Sequence, residues 1–239
     1  MPTPSRMRRI IVMNAKGGCG KTTIATNLAS QYASRDFPTA LFDYDPQASS
    51  TRWLRRRPGA YACLHGVAAY ETRLANVTRT WQLRVPPEVQ RVVIDTPAGL
   101  KGPELVEQLR GVDVILIPVL PSLIDIQSTA DFIRDLLLVG KVRLPQTRLG
   151  IVANRVRENT LAFRSLERFL ATLKIPVITR LRDTQNYVHA AERGSGIHEL
   201  KAGQTRRDLM QWTEMMDWLE PDAVSSAQDL ARAAPSVCQ

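Results

Sequence analysis

The residues best suited to chemistry stand in one short stretch, Ala15–Thr23, which reads AKGGCGKTT. Its three glycines let successive backbone N–H groups converge on phosphate oxygens without obstruction from side chains. Lys21 would contact the β- and γ-phosphates of a nucleotide, and the Thr22 hydroxyl would bind Mg²⁺. The general phosphate-loop pattern has glycine where this chain has Ala15, so the match is to a variant form with a second lysine, Lys16.

Acidic residues follow two other apolar runs of the chain. Asp95 ends the run Val92–Ile94, which places a carboxylate at the carboxyl end of a buried strand, where a residue that organises Mg²⁺ is needed. Asp43 and Asp45 stand at alternate positions after another run, so an extended backbone would project both toward the phosphates. A carboxylate there can orient or activate the attacking water, and spacing alone does not decide between the two.

Elements that would position these residues alternate along the chain. Short runs rich in β-branched residues predict strands, and apolar residues at helical spacing predict the helices between them. The predicted strands are Arg9–Met13, Thr39–Phe42, Val92–Ile94, Val114–Ile117, Leu149–Ala153 and one opening at Val177–Ile178. The predicted helices are Thr22–Arg35, Ser49–Arg57, Glu71–Val77, Gly102–Arg110, Ile124–Val139, Leu161–Leu173 and Gly203–Leu219.

This alternation predicts an α/β fold, a mostly parallel twisted sheet with helices on both faces. We expect a single domain over residues 1–220 and a mobile tail over 221–239. The segment 60–90 is the least informative, and the helix at Glu71–Val77 is the only element predicted in it.

Composition and the spacing of residue types argue against several classes of protein for this chain. No apolar run reaches the ~20 residues of a membrane-spanning helix, and the N-terminal residues lack the apolar core of a secretory signal. The three cysteines, Cys19, Cys63 and Cys238, have no paired spacing, which argues against a disulfide framework or a zinc site. A cytoplasmic protein is therefore expected.

Positive charge is concentrated in one part of the sequence. Residues 141–207 contain 14 Lys/Arg and five Asp/Glu, so the whole formal net charge of +9 falls in this segment. Such an excess is typical of a face that binds anions.

Three motifs together resemble the deviant Walker A, A′ and B motifs of the ParA/MinD ATPases. They are KGGCGKTT from Lys16, DYDPQ from Asp43 and VIDTPAG from Val93. The segment Ile117–Asp125, IPVLPSLID, resembles the proline-containing segment of small single-domain ParA proteins of the ParF kind, which partition plasmids. The similarity covers roughly residues 8 to 200, and it implies the P-loop NTPase fold of the deviant Walker A type.

The resemblance also implies roles for single residues. Lys16 would be the signature lysine, which reaches across an ATP-sandwiched homodimer to the partner's phosphates, and Asp45 would position the hydrolytic water. Asp43 would then be a supporting carboxylate near Mg²⁺. The residues expected to bind ATP are Lys16, Gly17, Gly18, Cys19, Gly20, Lys21, Thr22 and Thr23, with Asn154, Pro118 and Asp125 as adenine contacts. The catalytic set is Asp45, Lys16 and Lys21, and the metal set is Thr22, Asp43 and Asp95.

Larger members of that family carry an N-terminal helix-turn-helix domain, and few residues precede the first predicted strand here. The resemblance thus implies nonspecific binding to double-stranded nucleoid DNA, with phosphate contacts from the charged segment. The residues predicted for this contact are Arg180, Arg182, Arg193, Lys201, Arg206 and Arg207.

The favoured function is a positioning ATPase that is slow alone and is stimulated by a cargo-bound adaptor, ParB-like or McdB-like, with a plasmid or a carboxysome as cargo. A MinD-like membrane ATPase is an alternative, but it needs a basic amphipathic helix, and Val224–Gln239 contains only Arg232 as a basic residue. A metabolic enzyme of the same fold is a second alternative. An iron-protein-like reductase would need clustered cysteines, whereas the pattern does not exclude a synthetase.

Overall fold

The computed structural model describes residues 7–71, 85–140, 142 and 146–221. Within these ranges seven strands form one sheet in the order β3-β2-β4-β1-β5-β6-β7, and every neighbouring pair is parallel. The strands are β1 Arg8–Val12, β2 Thr39–Asp43, β3 His65–Ala68, β4 Arg91–Asp95, β5 Val114–Val119, β6 Arg148–Val156 and β7 Val177–Arg182. The predicted α/β fold with a parallel sheet is therefore confirmed.

Helices cover both faces of this sheet. They are α1 Lys21–Ala33, α2 Ser49–Arg55, α3 Gly102–Gln108, α4 Leu123–Leu138, α5 Leu161–Thr172, α6 Asn186–Glu192 and α7 Ala202–Leu219, with a 3₁₀ turn at Ile197–Glu199. Because successive strand residues point to opposite faces, Ile11 packs with the apolar sides of α3, α4 and α5, whereas Ile10 and Val12 pack with α1, α2 and α7. The central strands are buried on both faces, which explains their continuous apolar runs.

The carboxyl end of α7 is fixed beneath the sheet by a cluster of charges. The buried Arg91 of β4 donates to both carboxylate oxygens of Glu220, at 2.9 and 3.0 Å. The Tyr32 hydroxyl donates to the same carboxylate at 2.9 Å, and Arg8 forms an ion pair with it at 3.1 Å. Helix α7 is thereby held to β1 and β4 in the middle of the sheet.

Short or half-exposed elements are where the predicted and observed structures differ. The edge strand β3 was not predicted, because its burial is partial and one of its four residues is glycine. Helix α6 and the 3₁₀ turn are too short to give a periodic pattern. Strand β6 runs to Val156 rather than Ala153, beyond the point where polar residues interrupt the apolar run.

Some sequence-based expectations fall outside the described ranges. The predicted helix Glu71–Val77 lies there from residue 72 onward, and the predicted mobile tail lies there from residue 222. The assignment of residues 1–220 to one domain stays a prediction. In the described part of the chain, none of the helices has the length and apolar character required to span a membrane.

Candidate nucleotide site

The glycine-rich loop joins β1 to α1 at the carboxyl edge of the sheet. Strand β1 lies between β4 and β5, and the connections run to one side of it over β2–β4 and to the other side from β5 onward. Ligands of open α/β sheets bind where the strand order reverses in this way. Gly18 and Gly20 have φ of +74° and +96°, a conformation that residues with a Cβ rarely adopt. The loop therefore has its predicted position and needs its glycines.

Two buried asparagines fix the shape of this loop. The Asn14 side-chain oxygen accepts a hydrogen bond from the Lys16 N–H at 3.2 Å, and its amide donates to the Pro118 carbonyl at 2.7 Å. The Asn154 amide donates to the Cys19 carbonyl at 2.8 Å. The loop is thus braced against the ends of β5 and β6.

These contacts refine two sequence-based assignments. Asn154, predicted as an adenine contact, directs its amide at the loop, and the Pro118 carbonyl supports Asn14. Asn14 was not singled out in the sequence. Its only signal was a polar residue directly after an apolar strand, and its buried partners are far away in the chain.

Lys21 is folded into the loop and is 7% exposed. Its ammonium donates to the Lys16 carbonyl at 2.9 Å, so the positive charge is already at the loop's backbone. Gly17 and Gly18 face solvent, which leaves the outer surface of the loop open. The Lys16, Thr22 and Thr23 residues are partly exposed around this surface.

The Cys19 side chain of the loop packs inward. It is buried, and its thiol lies 3.3 Å from the Lys16 carbonyl. Burial raises the pKa of this thiol above its usual value, although the nearby Lys21 charge opposes the shift. Its side chain fills space beneath the loop, so any contact with phosphate would come from its backbone.

Asp95 is fully buried, and in the described part of the chain only one of its two carboxylate oxygens has a hydrogen-bond partner. Its Oδ2 accepts a hydrogen bond from the Ser50 hydroxyl at 2.7 Å, while Oδ1 has no hydrogen-bond partner among the described residues. Burial raises the pKa of Asp95 to about 7; the Ser50 and Thr22 side chains oppose this shift, and the nearby Asp43 and Asp45 add to it. A carboxylate oxygen and a hydroxyl are the hard ligands that Mg²⁺ prefers, so Asp95 and Thr22 fit this ion.

Asp43 and Asp45 differ in a way that spacing could not reveal. Asp43 is 1% exposed and both its oxygens are engaged: Oδ2 accepts from the Thr51 N–H and hydroxyl at 2.8 and 2.9 Å, and Oδ1 accepts from the Asp45 N–H at 3.1 Å. Burial raises the pKa of Asp43. Asp45 is half-buried, and one of its oxygens accepts from the Gln47 N–H at 2.9 Å. The geometry thus favours Asp45 as the carboxylate that water can reach and Asp43 as the residue that shapes the turn.

A cavity of about 470 Å³ opens beside the first turn of α1. Thr23 and Asn154 line it, together with the polar residues Asp183, Thr184 and Gln185, which directly follow β7. These three residues were not predicted, although polar residues after the last strand carried the same signal as Asp43 and Asp95. A cavity at the end of β6 and β7, next to the phosphate loop, has the position that a nucleotide base requires.

Asp125, the third predicted adenine contact, lies in the first turn of α4. It is 7% exposed and bonded to the Ser122 hydroxyl, and its Oδ1 has no partner among residues that the structure describes. Its charge contributes to the raised pKa of Cys19, so it stands near the phosphate loop. The structure therefore groups Asp125 with the loop and Asn154 with the cavity.

The predicted DNA-binding residues divide into two groups. Arg180 is ion-paired with Glu167 at 3.0 Å, and Arg182 with the buried Asp208 at 2.5 Å, so both charges are engaged within the fold. The other four are exposed, and we call them the basic surface: Arg193, Lys201, Arg206 and Arg207.

The basic surface lies toward the same edge of the sheet as the phosphate loop. The backbone N–H of Ile197, between Arg193 and Lys201, donates to Asn27 in the second turn of α1 at 2.7 Å. Helix α7, which carries Arg206 and Arg207, is tied by Asp208 to Arg182 at the carboxyl end of β7.

A phosphate loop at the reversal point of a parallel sheet, with its lysine folded in and a buried carboxylate on the next strand, defines a P-loop nucleotide-binding protein. Residues 10–197 match the CobQ/CobB/MinD/ParA nucleotide binding domain family, so the chain belongs to that family.

Two relatives and one solved structure show which kinds of protein this chain resembles. The chain is 28% identical, over 81% of its length and 88% of the relative's, to the maintenance of carboxysome distribution protein A of Halothiobacillus neapolitanus. It is 34% identical to the chromosome-partitioning ATPase Soj of Thermus thermophilus, over 50% of this chain and 48% of that protein. A plasmid partition protein from Borrelia burgdorferi, solved with AMPPNP bound, has the same fold with a TM-score of 0.69 at 15% identity, over 89% of this chain and 99% of that one.

Proposed function

We propose that this chain is a positioning ATPase of the ParA type. ATP would join two copies into a dimer, the dimer would bind nucleoid DNA without regard to sequence, and an adaptor on the cargo would stimulate hydrolysis and release. The observation that carries the ATPase part is the difference between two carboxylates at the sheet edge: Oδ1 of the buried Asp95 has no hydrogen-bond partner among the described residues, whereas Asp45 is partly exposed. Similarity to proteins named for carboxysome distribution and chromosome partitioning supports the positioning role.

Each residue of the site has a distinct task in this proposal. The Thr22 hydroxyl and the Asp95 carboxylate would hold Mg²⁺, which neutralises phosphate charge when bound. Lys21 would exchange its bond to the Lys16 carbonyl for phosphate oxygens. Asp45 would accept a hydrogen bond from water and orient it for attack.

The second lysine of the loop supports a shared site. The Lys16 backbone is fixed by Asn14, while its side chain is partly exposed at the rim of the loop. In the proposed dimer this side chain contacts the partner's phosphates, as the family resemblance implies. We expect Lys16→Ala to bind ATP but to lose ATP-dependent dimerisation, measured by light scattering after size exclusion. An ATP-dependent dimer of wild-type stability in this variant would contradict the assignment.

The basic surface is the proposed contact with DNA. Exposed Lys and Arg side chains release counterions when they meet DNA phosphates, so binding should weaken steeply with salt. Because Arg180 and Arg182 already have carboxylate partners, we expect the larger contribution from Arg193, Lys201, Arg206 and Arg207. A protein that acts in this way would be cytoplasmic and associated with the nucleoid.

A gel-retardation assay with duplex DNA of arbitrary sequence tests this function. Asp45→Ala should hydrolyse ATP slowly and therefore retard DNA stably with ATP and Mg²⁺, and no retardation is expected with ADP. Adding Arg206→Ala and Arg207→Ala should weaken retardation at least tenfold, whereas the matched control Arg134→Ala, an exposed arginine on α4, should not. Failure of Asp45→Ala to retard DNA at low salt would refute the proposal.

A further inference from the structure

Two consecutive residues of α2 hold carboxylates on two neighbouring strands. Asp43 of β2 and Asp95 of β4 stand opposite each other in the parallel pairing. Thr51 donates twice to Asp43, through its N–H and its hydroxyl, and Ser50 donates once to Asp95. Helix α2 thus supplies hydrogen-bond donors to two acidic residues that are buried side by side.

The two carboxylates are left in different states. Asp43 has hydrogen bonds on both oxygens, whereas Asp95, within the part of the chain that the structure describes, is bonded through Oδ2 only. Both Ser50 and Asp95 are 0% exposed, so the hydrogen bond between them is shielded from bulk water. A hydrogen bond of 2.7 Å to a charged group fixes the rotation of the carboxylate and decides which oxygen remains available.

We propose that Ser50 is a positioning residue for Asp95: it binds Oδ2 so that Oδ1 is presented to Mg²⁺ or to a water bound by Mg²⁺. This role rests on the proposed function, because it requires that Asp95 serve a nucleotide-bound metal. Ser50 acts through Asp95 and has no contact of its own with the nucleotide. Thr51, by contrast, bonds Oδ2 of Asp43, whose Oδ1 accepts from the Asp45 N–H, so both oxygens of Asp43 are already engaged within the turn.

The magnitude follows from the chemistry of the bond. Loss of a hydrogen bond to a charged group typically corresponds to about a tenfold or larger change in affinity. Ser50→Ala should therefore reduce the gain in nucleotide affinity that Mg²⁺ provides by about tenfold or more. Affinity measured in EDTA should stay the same, because the phosphate loop is unaltered.

The test measures equilibrium binding of a fluorescent AMPPNP, with no turnover, over a titration of Mg²⁺ and in EDTA. Ser50→Ala should shift the Mg²⁺ midpoint upward about tenfold. Ser50→Thr, which keeps the hydroxyl, should restore the midpoint. Ser49→Ala is the matched control, since the Ser49 hydroxyl accepts a hydrogen bond from the exposed Arg52 at 3.4 Å and is not bonded to Asp43 or Asp95.

A double-mutant cycle separates positioning from general damage to the fold. In an Asp95→Asn background, Ser50→Ala should add no further loss of Mg²⁺-dependent affinity. An unchanged midpoint in Ser50→Ala, or an equal loss in EDTA, would overturn the role of Ser50 while leaving the proposed function intact. Wild-type protein whose nucleotide affinity does not respond to Mg²⁺ would instead refute the proposed function, and the role of Ser50 with it.

Discussion

Alanine substitution at three glycines separates backbone strain from steric conflict in the phosphate loop. Gly18 and Gly20 both have positive φ, but only at Gly20 would a Cβ meet a side chain, the amide nitrogen of Asn154. At Gly59 φ is not positive and no atom lies within 4 Å of an added Cβ. Alanine at Gly59 should therefore cost no unfolding free energy. Alanine at Gly18 should introduce backbone strain alone, and alanine at Gly20 should introduce strain together with a steric clash.

The structure sets the size of each effect. Left-handed backbone costs a residue with a Cβ about 1–2 kcal/mol, which is the expected loss of unfolding free energy for Gly18→Ala. In Gly20→Ala the Asn154 amide must also move from the Cys19 carbonyl, and an unmade buried hydrogen bond costs about 1–3 kcal/mol more, for a total of about 2–5 kcal/mol. Gly59→Ala should be neutral or stabilise by up to about 1 kcal/mol, because it restricts the unfolded chain.

Urea denaturation without nucleotide, followed by far-ultraviolet circular dichroism, measures these differences, provided that the m-value is unchanged. In an Asn154→Ala background the cost of Gly20→Ala should fall to that of Gly18→Ala, because the colliding amide is gone. Equal costs for Gly18→Ala and Gly20→Ala in the wild-type background would refute the argument from the Asn154 contact.

Two further predictions concern buried charges. The carboxyl of Asp95 has a pKa of about 7 in the fold and 3.8 as its ordinary value, so the folded state binds the extra proton and stability falls as pH rises between these values. In EDTA, the free energy of unfolding of Asp95→Asn should therefore exceed that of the wild type by about 2–4 kcal/mol near pH 8 and should equal it near pH 3.5. Urea denaturation at the two pH values measures this difference, and a difference that does not depend on pH would contradict the prediction. Glu199→Gln should lower the free energy of unfolding by about 3–5 kcal/mol, because its carboxylate pairs with Arg57 at 2.6 Å and the Arg57 and Glu199 side chains are 5% and 6% exposed. The control Glu167→Gln, at the exposed pair with Arg180, should change the unfolding free energy by less than about 1 kcal/mol, and similar losses in both variants would refute the argument from burial.

Features that depend on neighbouring residues were readable from the sequence. The phosphate loop and the central strands were predicted because glycine spacing and continuous β-branched runs are local signals. Their confirmed positions follow from the burial of those strands on both faces. The edge strand β3 gave no such signal, since its residues are half-exposed.

Contacts between residues that are far apart in the sequence could not be predicted from it. Ser50 meets Asp95 only because β2 and β4 pair, and Asn14 meets Pro118 only because β1 and β5 pair. Likewise, Asp43 could not be distinguished from Asp45 by spacing, because the difference comes from which of them Thr51 binds. Residue types that can do chemistry are visible in the sequence, but the strand order of the folded sheet determines which residues they contact.

The ion pair between Arg91 and Glu220 has a consequence for the order of folding. Arg91 lies in a strand near the middle of the sheet, yet its carboxylate partner is synthesised 129 residues later. A nascent chain that has completed β5 must keep this strand partly hydrated or bury a charge without its counterion, which is costly. The central sheet therefore reaches its final stability only after Glu220 has been synthesised and α7 has packed, and before that its exposed apolar strands are prone to associate.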